Sequence, residues 1–179
     1  MLPEDLVVRP LREGEAERLS AAPWPGGLPE RHRDRLARQR RGDALYLVAW
    51  QGERPAAHLL IAWTGPEDEP MASRLSKCAE IQDFVVRPDL RSRGVGRRML
   101  ALAAALARGR GYARLGHNVG LDNPRARAFY ERAGFGETGF GPRPIRWQSR
   151  DPDGAPYWHE EMAVYLVKEL VGAGRGPGG

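Results

Sequence analysis

A glycine pair, Gly94 and Gly96, lies between a strand-like segment and the most regular amphipathic helix of the chain. Residues 79–86 (AEIQDFVV) have the apolar and β-branched content of a strand, which Pro88 ends. From Gly94 to Arg108, apolar residues recur at spacings of three and four, which predicts a helix with one buried face. The chain therefore has to place a strand, a short turn and a helix N-terminus in direct succession.

The start of this helix has the composition of an anion-binding site. The first N–H groups of a helix have no partner within it, and the helix dipole places about half a positive charge there. Glycine leaves the backbone open to a close ligand, and Arg91 and Arg93 add guanidinium donors. The segment lacks the Gly-Lys-Ser/Thr ending of a Walker loop, and Met99 breaks the G-x-G-x-x-G spacing. A pyrophosphate site is predicted, and an ordinary turn with surface arginines is the alternative.

The rest of the chain predicts a single domain around this segment. Further strands are predicted at residues 6–10, 44–50, 56–63, 112–119, 135–140 and 157–170, and further helices at residues 13–21, 29–41 and 124–133. Residues 65–77 and 141–156 are expected to be connections, and residues 172–179 a flexible tail. The fold class is α/β, of the α+β type, over residues 1–171. Its order is β-α-α-β-β-β-α-β-α-β-β, with about four helices on a mixed sheet of about seven strands.

The charge and cysteine content limit the partners of this domain. The 179 residues carry a formal net charge of +5, with arginines concentrated at residues 31–41 and 91–98. No nucleic-acid motif accompanies residues 31–41, so they are interpreted as a solvated helix face and nucleic acid is ranked last as a partner. Cys78 is the only cysteine; an internal disulfide is excluded, and the thiol is expected to pack in the interior. No His or Cys pair has metal-ligand spacing, so no metal is expected.

Membrane segments are not expected either. Residues 1–5 are acidic and precede no long apolar run, unlike a secretion signal. No stretch approaches the roughly 18 apolar residues that cross a bilayer. The sequence therefore predicts a cytoplasmic protein with no membrane partner.

Two motifs resemble those of the GNAT superfamily of N-acetyltransferases. Residues 91–96 (RSRGVG) match its Arg/Gln-x-x-Gly-x-Gly/Ala signature, and residues 80–88 extend the match upstream. Residues 123–135 (NPRARAFYERAGF) are similar to its second motif, Asn-x-x-Ala-x-x-(apolar)-Tyr-x-x-x-Gly-Phe. The two motifs cover residues 79–135, and the opening β-α-α-β-β order agrees more loosely.

The resemblance implies a GNAT-like fold and a reaction. Acetyl-CoA would be the cosubstrate, and its acetyl group would pass directly to a primary amine of a small molecule or peptide in a ternary complex. The fourth strand would bulge away from the fifth, so that the pantetheine arm pairs with freed backbone near residues 84–86. The implied cofactor-binding residues are Phe84, Val85, Val86, Arg91, Ser92, Arg93, Gly94, Val95, Gly96, Arg97, Asn123, Ala126 and Tyr130.

The resemblance also implies catalytic roles. Tyr130 matches the tyrosine that protonates the CoA sulfur in many family members, and a core aromatic is the alternative. Glu80 lies where some members carry a carboxylate base, which an amine needs because it is cationic at neutral pH. Asp83 is the rival carboxylate, and a water chain is a third route. A metal has no part in this chemistry.

The acceptor is expected to meet residues 20–42 and 141–160, by the same resemblance. Their aromatic residues Trp24, Trp147, Tyr157 and Trp158, with nearby carboxylates such as Glu160 and Glu161, would suit a cationic amine. Each could equally be an ordinary surface or core residue. A homodimer is compatible with the fold. The alternative function is a non-catalytic acyl-CoA-binding regulatory module.

Overall fold

One mixed sheet organises the protein. The computed structural model describes residues 2–24, 29–69, 71–150, 153 and 155–170, so the predicted tail at 172–179 lies outside the described residues. The strands are β1 Leu6–Pro10, β2 Ala44–Gln51, β3 Arg54–Ala62, β4 Cys78–Val86, β5 Arg114–Gly120, β6 Gly136–Glu137, β7 Arg143–Arg150 and β8 Pro156–Glu169. The helices are α1 Glu15–Ala21, α2 Pro29–Arg41, α3 Met71–Arg74, α4 Val95–Gly109 and α5 Pro124–Arg132, with a 3-10 turn at Pro88–Leu90. The strand order is β1-β2-β3-β4-β5-β8-β6, and β7 pairs with β8 outside this path.

Two apolar clusters cover the two faces of the sheet. On one face, Val95 and Met99 of α4 pack with Ala79 and Ile81 of β4. On the other, Leu19 of α1 belongs to a smaller cluster with buried side chains of β2 and β3. Successive strand residues point to opposite faces, so Glu80 lies on the side away from α4.

The strands β4 and β5 separate after a short parallel pairing. Cys78, Ala79 and Glu80 pair with β5 residues 114–116, and no pairing between the two strands continues beyond Glu80 among the described residues. On its other edge β4 stays paired with β3 as far as Val86. The second half of β4 therefore has one free edge, which opens the sheet.

The predicted fold class is confirmed, with three corrections. Residues 141–156 do not form a simple connection, because Arg143–Arg150 pairs with β8 as β7. The strand expected at residues 135–140 is reduced to Gly136–Glu137, which contacts β8 in two positions. The loop expected at residues 65–77 contains the short helix α3. Strand β7 forms because the long β8 extends beyond β5 and offers it a partner, not because its own sequence alternates.

Candidate active site

A cleft of about 780 Å³ lies where β4 leaves β5. The end of β4, the start of α4 and one side of α5 form its walls. The residues that line it are Phe84, Val85, Val86, Arg91, Ser92, Gly94, Gly96, Arg97, Asn123, Arg125, Ala126, Phe129, Tyr130, Arg132 and Ala133. The structure thus brings together every predicted cofactor residue except Arg93 and Val95. The Val95 side chain is wholly buried in the core under α4, and Arg93 points into solvent.

The glycine loop sets the entrance of the cleft. Gly94 caps α4 with a φ of +89°, a conformation that favours glycine. A Cβ atom at Gly96 would lie 3.1 Å from Cζ of Phe129 and 3.6 Å from Cζ of Phe84, so any side chain there crowds the cleft wall. The Nε of Arg91 donates to the carbonyl of Val86 at 3.2 Å, which ties the loop to the end of β4. The first turn of α4 is therefore held against the free edge of β4.

The cleft is strongly cationic. Among the described residues that line it, four are arginines (Arg91, Arg97, Arg125 and Arg132) and none is acidic. Arg125 Nη2 donates to Oγ of Ser92 at 3.2 Å, so α5 also reaches the loop. Sequence reasoning gave no role to Arg125 or Arg132, although both stand inside the second motif. A polyanion with an extended apolar arm fits these walls.

Asn123 begins α5 in the predicted way. Its Oδ1 accepts a hydrogen bond from the backbone N–H of Ala126 at 3.0 Å, and Pro124 takes the first helical position. The amide NH₂ group of Asn123 is not used by this cap and remains available at the cleft. The cap also fixes the orientation of α5, which carries Tyr130 two turns further on.

Tyr130 is a buried member of an aromatic cluster. The side chain is 3% exposed, and its ring centroid lies 4.6 Å from His117, 5.2 Å from Phe135 and 5.4 Å from Phe129. Burial raises the pKa of Tyr130 well above its ordinary value, so the phenol stays protonated at neutral pH. Tyr130 also belongs to the cleft lining, so the wall of the cleft includes a phenol that is protonated at neutral pH.

His117 bridges the two separating strands. Its Nδ1–H donates to the carbonyl of Ile81 at 2.7 Å, one residue beyond the last β4–β5 pair, so the other ring nitrogen carries no proton in the neutral form. Burial lowers the pKa of His117 to about 4, which keeps the ring neutral. Sequence reasoning assigned His117 no function, because its partner is distant in the chain.

Glu80 lies at the point of separation, outside the cleft lining. It is 7% exposed; Tyr165 donates its hydroxyl to one carboxylate oxygen at 3.1 Å, and Gln82 donates to the other at 3.4 Å. Burial raises the pKa of Glu80 to about 7, and the negative charges of Asp68 and Glu67 add to the effect. A carboxyl group with this pKa can exchange a proton near neutrality.

Asp83, the rival carboxylate, is engaged in an ion pair. Its carboxylate meets the guanidinium of Arg35 on α2. The Asp83 side chain is about one-third exposed. Arg35 therefore places a positive charge against the negative charge of Asp83.

The expected acceptor side carries exposed aromatic rings. On the β7–β8 hairpin, Trp147 and His159 stack with ring centroids 4.8 Å apart, and Tyr157 lies 4.6 Å from His159. Trp158 points to the other face of the hairpin, where Arg146 lies 5.0 Å over its ring. The hairpin tip falls largely outside the described residues.

The arginines of α2 are largely committed to partners within the protein. Arg33 pairs with Glu17, Arg40 with Glu13 and Arg41 with Asp43, and Arg38 donates to Oε1 of Gln82 at 3.0 Å. These contacts agree with the predicted solvated helix face. Cys78 is buried, as expected. Within the described ranges no cluster of three His, Cys, Asp or Glu could hold a metal, and no helix is long and apolar enough to cross a membrane.

Solved structures share this fold. The ribosomal-protein-S18-alanine N-acetyltransferase of Escherichia coli has a TM-score of 0.64 at 19% identity, over 97% of this chain and 99% of that one. A chimera of the spermidine N-acetyltransferase SpeG from Vibrio cholerae and hSSAT has a TM-score of 0.64 at 14% identity, over 93% and 96% of the two chains. At these identities the likeness establishes the fold alone.

Sequence comparison establishes the family. The peptidyl-lysine N-acetyltransferase YjaB of Salmonella typhimurium is 32% identical over 132 residues, which cover 74% of this chain and 84% of that protein. The family model described as acetyltransferase (GNAT) family matches residues 12–135, which include both motifs and the whole cleft. The chain therefore belongs to the GNAT family of acetyltransferases, and it is an N-acetyltransferase.

Proposed function

We propose that this chain binds acetyl-CoA in the cleft between α4 and α5 and acetylates a primary amine by direct attack in a ternary complex. The family uses acetyl-CoA. The observation that carries the proposal is a cleft lined by four arginines, with no acidic residue among the described residues of its lining, that opens onto the gap between β4 and β5. The bound cosubstrate would supply an acetyl group activated as a thioester.

The chain offers two kinds of contact to such a ligand. The N-terminal turn of α4, with Arg91 and Arg97 beside it, would hold the diphosphate. Phe84, Val85 and Val86 line the cleft from the β4 edge that no β5 residue pairs with, so their backbone groups can pair with an extended arm. The amide NH₂ of Asn123 faces the same space. These residues would orient the ligand along the cleft towards the β4–β5 gap.

Two groups would handle protons. Tyr130 holds a proton on its hydroxyl oxygen and would deliver it to the leaving sulfur. Glu80 would accept the proton that the amine loses, directly or through a water, because its pKa of about 7 matches this task. The two side chains reach the gap from opposite faces of the sheet, which suits a reaction in which acceptor and cosubstrate enter from opposite sides.

Glu80→Gln is expected to change the pH dependence of kcat/KM. An ionised Glu80 becomes available as pH rises through about 7, so the wild-type profile should rise to about pH 7 and then flatten. In the variant only free neutral amine reacts, and its rate should keep rising towards the amine pKa of about 10. The deficit should therefore be largest, at least about tenfold, at and below pH 7 and should shrink above it. Initial rates of thiol release between pH 6 and 10 measure both profiles.

Asp83→Asn serves as the comparison for this experiment. If Asp83→Asn loses the inflection near pH 7 and Glu80→Gln keeps it, Asp83 is the base. If neither variant alters the profile, the proton leaves through water and backbone carbonyls, and the role assigned to Glu80 is wrong.

The proposed class of acceptor rests on the similarity to YjaB and on the exposed aromatic residues of the β7–β8 hairpin. YjaB of Salmonella typhimurium is a peptidyl-lysine N-acetyltransferase. We propose a cationic amine of this kind for the present chain, supported by the exposed rings of Trp147 and Tyr157 on the side of the sheet that carries Glu80. Thiol release from acetyl-CoA should be fastest with lysine-containing peptides in a panel that also holds polyamines and amino acids. Equal background release with every amine would contradict the proposed acceptor.

The proposed unit of function is residues 1–171, acting as one domain. The single sheet that joins β1 to β8 supports this extent. Action in the cytoplasm is proposed with it, because the one cysteine, Cys78, is a buried free thiol that suits a reducing compartment.

A further inference from the structure

Strand β4 contains a bulge at Asp83 and Phe84, where its residues begin to line the cleft. Leu60 of β3 pairs with Gln82, and His58 pairs with Val85, so two β4 residues oppose one β3 residue. Asp83, the first of the two, has a φ of +50°. Residues other than glycine rarely adopt this left-handed conformation, although Asp and Asn tolerate it better than most. The backbone of Asp83 is therefore strained, and contacts with neighbouring residues must stabilise its conformation.

Arg35 of α2 holds this position from the other side of the sheet. Arg35 is 8% exposed and forms an ion pair with the carboxylate of Asp83. Its Nη1 also donates to the hydroxyl of Tyr46 at 3.0 Å, which fixes the guanidinium. His58 Nδ1 lies 3.9 Å from Asp83, and burial lowers the pKa of His58 to about 4, so this ring adds no positive charge at neutral pH. Arg35 thus supplies a positive charge in direct contact with Asp83.

The bulge determines where its second residue, Phe84, and the residues after it point. Phe84 turns to the cleft side, where its ring centroid lies 6.2 Å from that of Phe129, beside Gly96. Val85 and Val86 follow it along the cleft lining. Neither Arg35 nor Asp83 lines the cleft. The contact of Asp83 with Arg35 on the α2 side of the sheet is therefore one peptide bond away from Phe84, which lines the cleft.

We propose that Arg35 and Asp83 form a positioning pair that holds the bulge of β4 in the conformation that binds the cosubstrate. The pair couples α2, on the expected acceptor side, to residues 84–86 in the cleft. This inference rests on the proposed binding of acetyl-CoA. It assigns Asp83 a role in positioning rather than in proton transfer.

Three substitutions of Asp83 separate the ion pair from the backbone conformation. Asp83→Ala loses the carboxylate and disfavours the left-handed conformation, and we expect acetyl-CoA to bind about tenfold more weakly. Asp83→Gly permits the conformation but does not hold it, so its affinity should lie between those of Asp83→Ala and the wild type. Asp83→Asn keeps an oxygen that accepts from Arg35 and tolerates the left-handed region, so it should bind nearly as the wild type does. Calorimetric titration with acetyl-CoA measures all three affinities.

Variants of α2 complete the experiment. Arg35→Met should weaken acetyl-CoA binding as Asp83→Ala does, and the double variant should be no weaker than either one. Arg33→Met, an exposed site on the same helix that pairs with Glu17, is the control and should leave affinity unchanged. Hydrogen exchange gives a second readout: acetyl-CoA should protect residues 84–86 in the wild type and less so in Asp83→Gly.

The outcomes distinguish this inference from the proposed function. If the wild type does not bind acetyl-CoA, the proposed function itself fails. If it binds, and Asp83→Gly, Arg35→Met and the wild type show equal affinity and equal protection, the pair only stabilises the fold and the inference is overturned. If Asp83→Asn binds as weakly as Asp83→Ala while Arg35→Met binds as the wild type does, the effect comes from Asp83 alone and not from its contact with Arg35, and the inference is overturned too.

Discussion

Gly96→Glu is expected to abolish acetyl-CoA binding in a calorimetric titration. Gly96 lies in the first turn of α4, where free N–H groups and the helix dipole favour an anion. A glutamate side chain would place its own carboxylate in that field and repel the diphosphate. Even a Cβ atom would lie 3.1 Å from Phe129, so the longer side chain can only extend into the cleft or displace the Phe129 ring. Charge and volume therefore act in the same direction.

Gly109→Glu is the matched control for this substitution. Gly109 is the last residue of the same helix, and nothing lies within 4 Å of a Cβ atom built there. This variant adds the same charge to the protein and should bind acetyl-CoA as the wild type does. Thermal unfolding of both variants checks that the fold is retained. An unchanged dissociation constant in Gly96→Glu would show that the cosubstrate does not use this loop.

The elements that the sequence predicted best are those with local signals. The helix predicted from Gly94 to Arg108 is found within one residue at each end. Its signals, an apolar stripe and the glycines at its two ends, all lie in the helix itself or directly beside it. Asn123 was predicted as an N-cap and is one, since a cap requires only the next three residues. Such features depend on contacts that are close in the chain, which a single sequence displays.

The parts that were missed depend on distant partners. Strand Arg143–Arg150 has no clear alternation and is bounded by proline and glycine, and only its pairing with β8 makes it a strand. The protonation and orientation of the His117 ring depend on its hydrogen bond to the carbonyl of Ile81, which is 36 residues away in the chain. The pKa of Glu80 depends on its burial beside Tyr165, 85 residues further on. No local pattern encodes these contacts.

Membership of a sequence motif also did not show which side chains face the cleft. The signature at residues 91–96 predicted both Arg93 and Val95 as cofactor-binding residues. Helical rotation turns Val95 into the core beneath α4, where it is wholly buried. Arg125 and Arg132, which the second motif leaves unspecified, line the cleft instead. They lie seven residues apart, about two helical turns, and therefore share one face of α5.

Tyr130→Phe is expected to bind acetyl-CoA normally and to turn over about 100- to 10,000-fold more slowly. The phenyl ring retains the contacts with His117, Phe129 and Phe135, so the cleft wall should keep its shape. What the variant loses is a phenol that burial keeps protonated and that would otherwise supply a proton to the leaving sulfur. A loss in kcat with little change in the acetyl-CoA dissociation constant would assign Tyr130 to the chemical step.

Tyr112→Phe controls for the removal of a tyrosine hydroxyl. Tyr112 lies away from the cleft and donates its hydroxyl to the carbonyl of Trp63 at 2.6 Å, so its loss should affect stability but not turnover. The comparison requires an acceptor for which chemistry limits the rate, which the absence of a pre-steady-state burst of product with substrate in excess identifies. If Tyr130→Phe then stays within about twofold of the wild type, far below the loss typical of a general acid, Tyr130 only packs the cleft wall. The leaving thiolate would in that case be stabilised without a protein proton donor, and the fixed positive charge of the cleft would be the remaining source of that stabilisation.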